Sequence, residues 1–359
     1  IFLYGMMVLE QALRTLGTRA FRHILRDYTN TPVRGVMMGV ISTACLQSSS
    51  MVGLIVLAFV GAGILTMASA LGIIFGASLG TTFTGWIVAT IGFKLSLTQY
   101  AMPLLAVGTL GTVFISSEHR RHSQARLLLG LGLLLMGLGF MKTNMGTLAE
   151  QSIPGVFADY PILLYALGGL LFTALVQSSS ATMMIVLSAI NAGVMPLTTA
   201  AAIMAGANLG TTVTVVLGSL KGSPDKHRVA LAHFIFHLLS TLIGLVFLYP
   251  ILQLISDILT VQDPMYAVVL YHSLFNLFTI LLFLPFISPF ARWLQNRFAD
   301  EDGSGCQFIT KVPASVSDAA SEAIHQEVIR LFYRVILLNL RVLKIRPQEL
   351  LQEYEGYRV

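Results

Sequence analysis

Two stretches of this chain, Gly35–Phe93 and Tyr160–Leu220, contain no Asp, Glu, Lys or Arg. Each runs for about 60 residues, and each carries a polar Gln-Ser-Ser-Ser cluster near its first third, at Gln47–Ser50 and Gln177–Ser180. A charge-free run of that length is long enough for two crossings of a bilayer. A soluble domain would have about a quarter of its residues charged. This chain of 359 residues has 11% charged and 55% hydrophobic residues, with a mean hydropathy of +0.78. The apolar runs are broken by Gly, Ser and Thr and do not alternate with period two. The expected class is therefore an all-α integral membrane protein, not a β-barrel.

The pI of about 9.3 invites a nucleic-acid reading. The basic residues, however, lie in short segments between apolar runs, as topology signals do. The lipid bilayer is the expected partner, and nucleic acid is not. Cys45 and Cys306 form neither a disulfide framework nor a metal-ligand spacing.

The expected spans are about 1–20, 66–92, 97–116, 125–146, 196–218, 229–253 and 266–291, with interrupted segments at about 33–60 and 160–191. Four basic clusters punctuate them. These are Arg14 to Arg34, Arg120 to Arg126, Lys221 to Arg228, and Arg292 with Arg297. Placing all four in the cytoplasm satisfies the positive-inside rule. That leaves Lys94, Lys142, Asp159, Asp257 and Asp263 outside. It also requires each interrupted segment to enter and leave on one side. So 33–60 is expected to be a re-entrant hairpin opening to the cytoplasm, and 160–191 one opening outside. Their arms are too short to span alone.

A shift of 130 residues aligns the two halves without a gap. Thr43-Ala44 falls on Thr173-Ala174, and "GASLGTTFT" (76–84) falls on "GANLGTTVT" (206–214). About half of some 40 positions are identical, which marks an internal repeat. Because the two hairpins open to opposite sides, the repeats are expected to be inverted. Inverted repeats with interrupted helices at mid-membrane are the design of secondary transporters.

The chemistry follows from this arrangement. A helix starting near Ser49 or Ser50 presents unpaired N–H groups, and such a terminus attracts anions. Gly76 and Gly80 are expected to loosen a membrane helix that Thr81-Thr82 recap; Gly206, Gly210, Thr211 and Thr212 repeat the device. Up to four helix N-termini would then converge, carrying together about +2 charges. Gln47, Ser48, Ser49, Ser50, Gln177, Ser178, Ser179 and Ser180 supply hydrogen bonds for a doubly charged oxyanion. Released carbonyls with Thr43, Ser78, Thr81, Thr82, Thr173, Asn208, Thr211 and Thr212 supply neutral sites for a cation such as Na⁺. Ser, Thr and Gly also mediate close helix packing in membranes. Packing alone does not require the same four-residue cluster in both copies.

These motifs resemble the type II sodium–phosphate cotransporter family, whose hallmark is a duplicated QSSS unit of inverted topology. The resemblance covers residues 1 to about 291 and is most specific at 43–84 and 173–214. It implies Na⁺-coupled transport of inorganic phosphate by alternating access, with no cofactor, in a bacterial inner membrane. It assigns the two QSSS tips and the two GTT segments to phosphate and Na⁺. A transporter core at 1–299 is expected (repeats at about 1–116 and 125–253, extra span at about 266–291), with the N-terminus outside. A cytoplasmic helical tail at 300–359 resembles the start of a PhoU-like domain, and a homodimer is a further expectation. The first copy departs from the second: Met51-Val52 replace Ala181-Thr182, and Ser78 replaces Asn208. Neither block holds a carboxylate, so any Na⁺ site there is neutral.

Other polar residues stand apart from the motifs. His233 and His237 are one turn apart, as are His272 and Asn276. They fit either helix-to-helix hydrogen bonding or a proton or metal role. Glu10 is a carboxylate at membrane depth and a functional candidate for that reason. No paired carboxylate, HExxH or Ser-His spacing lies near the motifs, so an enzyme is not expected. Alternatives are the same fold exporting phosphate or carrying another small oxyanion, and a membrane phosphate sensor.

Overall fold

A computed structural model of the chain describes residues 1–27, 29, 31–92, 97–150, 160–220, 223–298, 306, 308, 309, 312 and 317–342. Lys94, Asp159 and Lys221 lie outside the described residues, as do the side chain of Lys142 and the tail beyond 342.

The described residues are helical throughout, with no strand. The first half holds α1 (Phe2–Asp27), α2 (Pro32–Leu46), α3 (Ser49–Gly61), α4 (Met67–Ile87), α5 (Ala101–Phe114) and α6 (Arg120–Glu150). The second holds α7 (Ile162–Val176), α8 (Ser179–Asn191), α9 (Leu197–Gly210), α10 (Thr212–Ser219), α11 (Pro224–Val246), α12 (Leu248–Gln253), α13 (Pro264–Phe283) and α14 (Ile287–Gln295). The tail helix α15 covers Ser317–Val342. Five segments are long and apolar enough to cross a membrane: Met67–Thr90, Arg120–Met141, Leu197–Ser219, Pro224–Val246 and Pro264–Gln295. Helices α2, α3, α7 and α8 are apolar but only 13–15 residues long.

Local chemistry sets several starts. Thr31 caps α2, its hydroxyl accepting from the Arg34 N–H, and Pro32 fills the first helical position. Thr66 caps α4 through Ser69, and Asp263 caps α13 through Met265, again with Pro next.

Helix α2 lies along α4, and α7 lies along α9, both at backbone contact. A Cβ on Gly39 would stand 2.0 Å from the Ile73 carbonyl oxygen; on Gly169, it would stand 2.1 Å from that of Ile203. A Cβ on Gly76 would stand 2.0 Å from the Val36 oxygen; on Gly206, 1.7 Å from that of Ala166. Every partner in the second pair sits 130 residues after its equivalent in the first. Only glycine permits this approach.

The glycines of the GTT segments therefore serve close packing; the expected break is absent from the first copy, while the second is interrupted at Thr211, between α9 and α10. Helix α4 runs unbroken through Gly76, Gly80, Thr81 and Thr82. Its copy shifts for one residue at Thr211, whose φ of −66° and ψ of −20° stay right-handed helical. The threonines bond backward along their own helices instead of capping. Thr81 donates to Ala77 O at 3.0 Å, Thr82 to Leu79 O at 2.7 Å, Thr211 to Asn208 O at 2.7 Å and Thr212 to Leu209 O at 2.8 Å.

Contacts also fix which ends meet. Ser69 donates to Thr29 O at 2.5 Å, so α2 and α4 begin together. The stem of Lys226, at the start of α11, packs on Gly61, at the end of α3. Arg228 is buried; it pairs with Asp225 at 2.7 Å and donates to the carbonyls of Arg297 and Phe298, each at 2.8 Å. The start of α11 is thereby held to the end of α14. Gly130 abuts Leu9 and Gly137 abuts Phe2, so α6 runs antiparallel to α1. Along α3, Gly53 meets Val215, and Leu54 and Leu57 meet Gly218. Segment α9–α10 thus runs towards the end from which α4 departs.

Candidate functional site

The two-residue links after α2 and α7 have nearly the same geometry. Gln47 has φ 56° and ψ 24°, and Gln177 has φ 57° and ψ 28°. Ser48 and Ser178 follow in extended conformation, at φ −150° and −147°. Each glutamine N–H closes the preceding helix onto a threonine carbonyl, Thr43 or Thr173, at 2.7 Å. Each serine caps the next helix: Ser48 Oγ accepts from Met51 N at 3.4 Å, and Ser178 Oγ from Ala181 N at 3.3 Å. The expected helix starts at the QSSS motifs are therefore present. The side-chain-capped N-termini among these segments are two, not four: α4 is continuous through its GTT segment, and α10, which starts at Thr212, has no side-chain cap. Two termini carry together about +1.

The surroundings of the two links differ. Gln47 donates from Nε2 to Ala44 O at 2.5 Å and accepts from Thr84 Oγ1 at 2.8 Å. Gln177 is exposed, and Thr214, the equivalent of Thr84, has a buried hydroxyl with no partner. The reverse holds one turn earlier. Thr173 Oγ1 bonds Thr182 Oγ1 at 2.7 Å, whereas the buried Thr43 hydroxyl has no partner. Val52 stands where the second copy has Thr182.

Behind the first link, Ser49, Gly53, Ile74, Ala77, Ser78, His233 and His237 line a cavity of about 10 Å³. That is about one water. Ser78 Oγ lies 3.2 Å from His237 Nε2. The stacked Phe75 and Phe236, with centroids 4.1 Å apart, lock α4 to α11 and set this pair. The Ser78–His237 contact spans 159 residues, and the absence of a short Ser-His spacing hid it. It lacks the third member of a catalytic triad, since His237 Nδ1 has no hydrogen-bond partner. The Glu10 side chain reaches Ser48.

In the second copy, Asn208 takes the place of Ser78 and enters a different network. Its Nδ2 donates to Ser240 Oγ at 3.1 Å and to Asn276 Oδ1 at 3.3 Å, and Thr279 Oγ1 donates to Ser240 at 3.3 Å. Ser179, Ser180, Asn208, Thr211 and Thr212 are buried, while Ser48, Ser49 and Ser50 are partly buried. Sequence reasoning missed Thr84, Ser240 and Thr279. Thr84 was discoverable, since it closes the repeated nonapeptide; Ser240 and Thr279 carried no signal. A larger cavity of about 590 Å³ lies among Ile87, Leu104, Leu131 and Leu138 and offers an oxyanion nothing.

The profile of the Na+/Pi-cotransporter family matches residues 1–143 and 161–259, which hold both links and everything placed around them except Asn276 and Thr279. The chain belongs to this family. The Na+/Pi-cotransporter family is one of transporters and not of enzymes. Among its relatives, "Uncharacterized protein YqeW" of Bacillus subtilis is 29% identical over 253 residues, covering 69% of this chain and 79% of YqeW. "Putative inorganic phosphate export protein YjbB" of Salmonella typhimurium is 28% identical over 251 residues, covering 68% of this chain and 45% of YjbB. "Sodium-dependent phosphate transport protein 2A" of Ovis aries is 35% identical over 91 residues, 25% of this chain and 14% of its own length. No solved structure matches.

Proposed function

We propose that this multi-pass membrane protein is a Na⁺-coupled secondary transporter of inorganic phosphate working by alternating access. The observation that carries the reading is the pair of matched QSSS links, each ending one short helix and capping the next. Phosphate binds at the two tips, through Gln47 to Ser50 and Gln177 to Ser180. Na⁺ is held by neutral oxygens of Thr43, Ser78, Thr81, Thr82, Thr173, Asn208, Thr211 and Thr212 or their neighbouring carbonyls. The threonines that bond backward to their own helices leave lone pairs on the hydroxyl oxygens for this task.

The α2–α3 and α7–α8 pairs act as re-entrant hairpins of two inverted repeats. Support comes from the opposed courses of α4 and α9–α10, and from α2 beginning beside the start of α4, close to where α3 ends. The end that gathers Arg34, Lys226, Arg228 and Arg297 faces the cytoplasm of a bacterial inner membrane, as the positive-inside rule asks. The tail is cytoplasmic, and residues 1–299 are the transporting unit. The cavity behind the first tip admits only about one water. In the cycle, this site opens to take the anion.

The test is ³²P-phosphate flux in liposomes with and without a Na⁺ gradient. Ser49→Ala and Ser179→Ala each lower flux by about tenfold or more, as expected where a charge-assisted hydrogen bond to the anion is lost. Unchanged phosphate affinity in both folded variants would rule out the tips as the site. The family description favours symport and the name of YjbB favours export. Net efflux that persists without a Na⁺ gradient selects the second.

A further inference from the structure

The phosphate reading leaves the tail without a task, yet the tail is seated on one particular loop. Helix α3 ends in the link 62–66 to α4, where Gly63 turns the chain at φ 72°. The amides of Gly63 and Ile64 close that end onto Val60 O at 3.0 Å and Phe59 O at 2.9 Å. A Cβ on Gly63 would meet the Phe308 ring at 3.4 Å and the Gln326 stem at 3.9 Å. Ala62 and Leu65 share one buried apolar cluster with Ala319 and Ala323 of α15 and Leu294 of α14, and Phe308 and Val312 pack against it. A buried charge fixes this arrangement. Glu327 is 1% exposed; one carboxylate oxygen accepts from Phe308 N at 2.6 Å and the other from Arg330 Nε at 2.6 Å. A carboxylate so deeply buried is costly unless it is partnered. Glu327 thus holds Phe308 where its ring covers Gly63.

The twin loop folds in the same way without this cover. Gly193 turns at φ 70°, and its N–H bonds Ile190 O at 2.9 Å, as Val194 N bonds Ala189 O at 3.0 Å. A Cβ on Gly193 would meet nothing within 4 Å, and Ala192 is half-buried where Ala62 is fully buried. The turn itself therefore does not require the tail.

We infer that the tail is an autoinhibitory latch: seated on the loop between α3 and α4, it holds the first hairpin closed, and transport requires it to lift. The inference rests on the phosphate reading above, with α2–α3 as a hairpin that moves. The cavity behind the first tip, between α3, α4 and α11, admits about one water, so an oxyanion enters only after α3 shifts against its neighbours. The tail bridges the parts that must separate. It joins the end of α3 to α14, and Arg228 ties the residues after α14 to the start of α11. A clamp across two bodies lowers the population of the state in which they part, and flux falls with that population.

The test reads initial ³²P-phosphate flux in liposomes at a fixed Na⁺ gradient. Glu327→Ala frees Phe308 without touching either tip and should raise flux about tenfold, the factor for one lost charge-assisted hydrogen bond. Phe308→Ala should raise it as well. Limited trypsin cleavage within α15 reports that the tail has lifted. A Gly63→Cys/Gln326→Cys pair, with Cys45 and Cys306 changed to Ser, does the reverse: oxidation should remove most of the flux and reductant should restore it. Unchanged or lower flux with the tail lifted overturns the latch and leaves the phosphate reading standing, and so does undiminished flux in the fully crosslinked pair. If the cysteine pair does not fold, the alanine variants decide; if those keep the tail seated, the crosslink decides. Absence of flux in the unsubstituted and the released proteins alike overturns both readings.

Discussion

Gln47 and Gln177 occupy the left-handed region, where a side chain costs about 1 kcal/mol and glycine costs nothing. Glycine is the ordinary residue for ending a helix in this way, so each glutamine is retained for its amide. At the first link, that amide binds Thr84 and Ala44. The threonines one turn earlier give a cleaner test of local energetics. Thr182→Val leaves the Thr173 hydroxyl buried and alone, as Thr43 already is, and should destabilise the protein by about 1–3 kcal/mol. Val52→Thr does the converse, giving Thr43 a partner, and should be neutral or stabilising by about 1 kcal/mol. Thermal unfolding in detergent measures both. The Met51-Val52 against Ala181-Thr182 difference was plain in the sequence. That it leaves one hydroxyl orphaned was not, because the threonine and its partner meet across a helix link.

Among the helices, the close pairs α2–α4 and α7–α9 are tightest at Gly39, Gly76, Gly169 and Gly206. Gly206→Ala must move the Ala166 carbonyl or the whole helix, and overpacking of this kind costs about 1–3 kcal/mol. Gly168→Ala, with nothing within 4 Å, should be neutral or stabilise by about 0.5–1 kcal/mol. A lower unfolding temperature for the first alone is the expected outcome. The same glycines show where sequence reading stopped. Starts at Ser49 and Ser179 were legible because a cap is a contact within four residues. The unbroken course of α4 through its GTT segment was not, because a membrane-helix glycine either loosens its own helix or admits another. The choice belongs to residues such as Val36 and Ala166, 40 positions away along the chain. The Ser78–His237 and Asn208–Ser240 contacts were beyond reach for the same reason.

Among the described residues, large apolar side chains are exposed along many of the helices. Leu175 is 85% exposed, Phe114 80% and Leu163 70%, an arrangement at home only in lipid. Within that surface, the two halves hold complementary bonds: Gln47–Thr84 is formed, while Thr214 is unpaired and Gln177 is exposed. If the halves exchange roles during transport, the opposite-facing state has Gln177 on Thr214 and Gln47 released. A Gln177→Cys/Thr214→Cys double variant should then crosslink only while turning over, and its oxidation should halt ³²P flux. Crosslinking in the resting protein at the same rate would count against the exchange. One further asymmetry lies outside the repeats. Phe308 and Gln326 of the tail lie against Gly63, in the loop after α3, and Glu327 accepts from Phe308 N at 2.6 Å. The matching Gly193 has nothing within 4 Å. The tail covers one loop and leaves its twin bare, so a machine built from two like halves has a handle on only one of them.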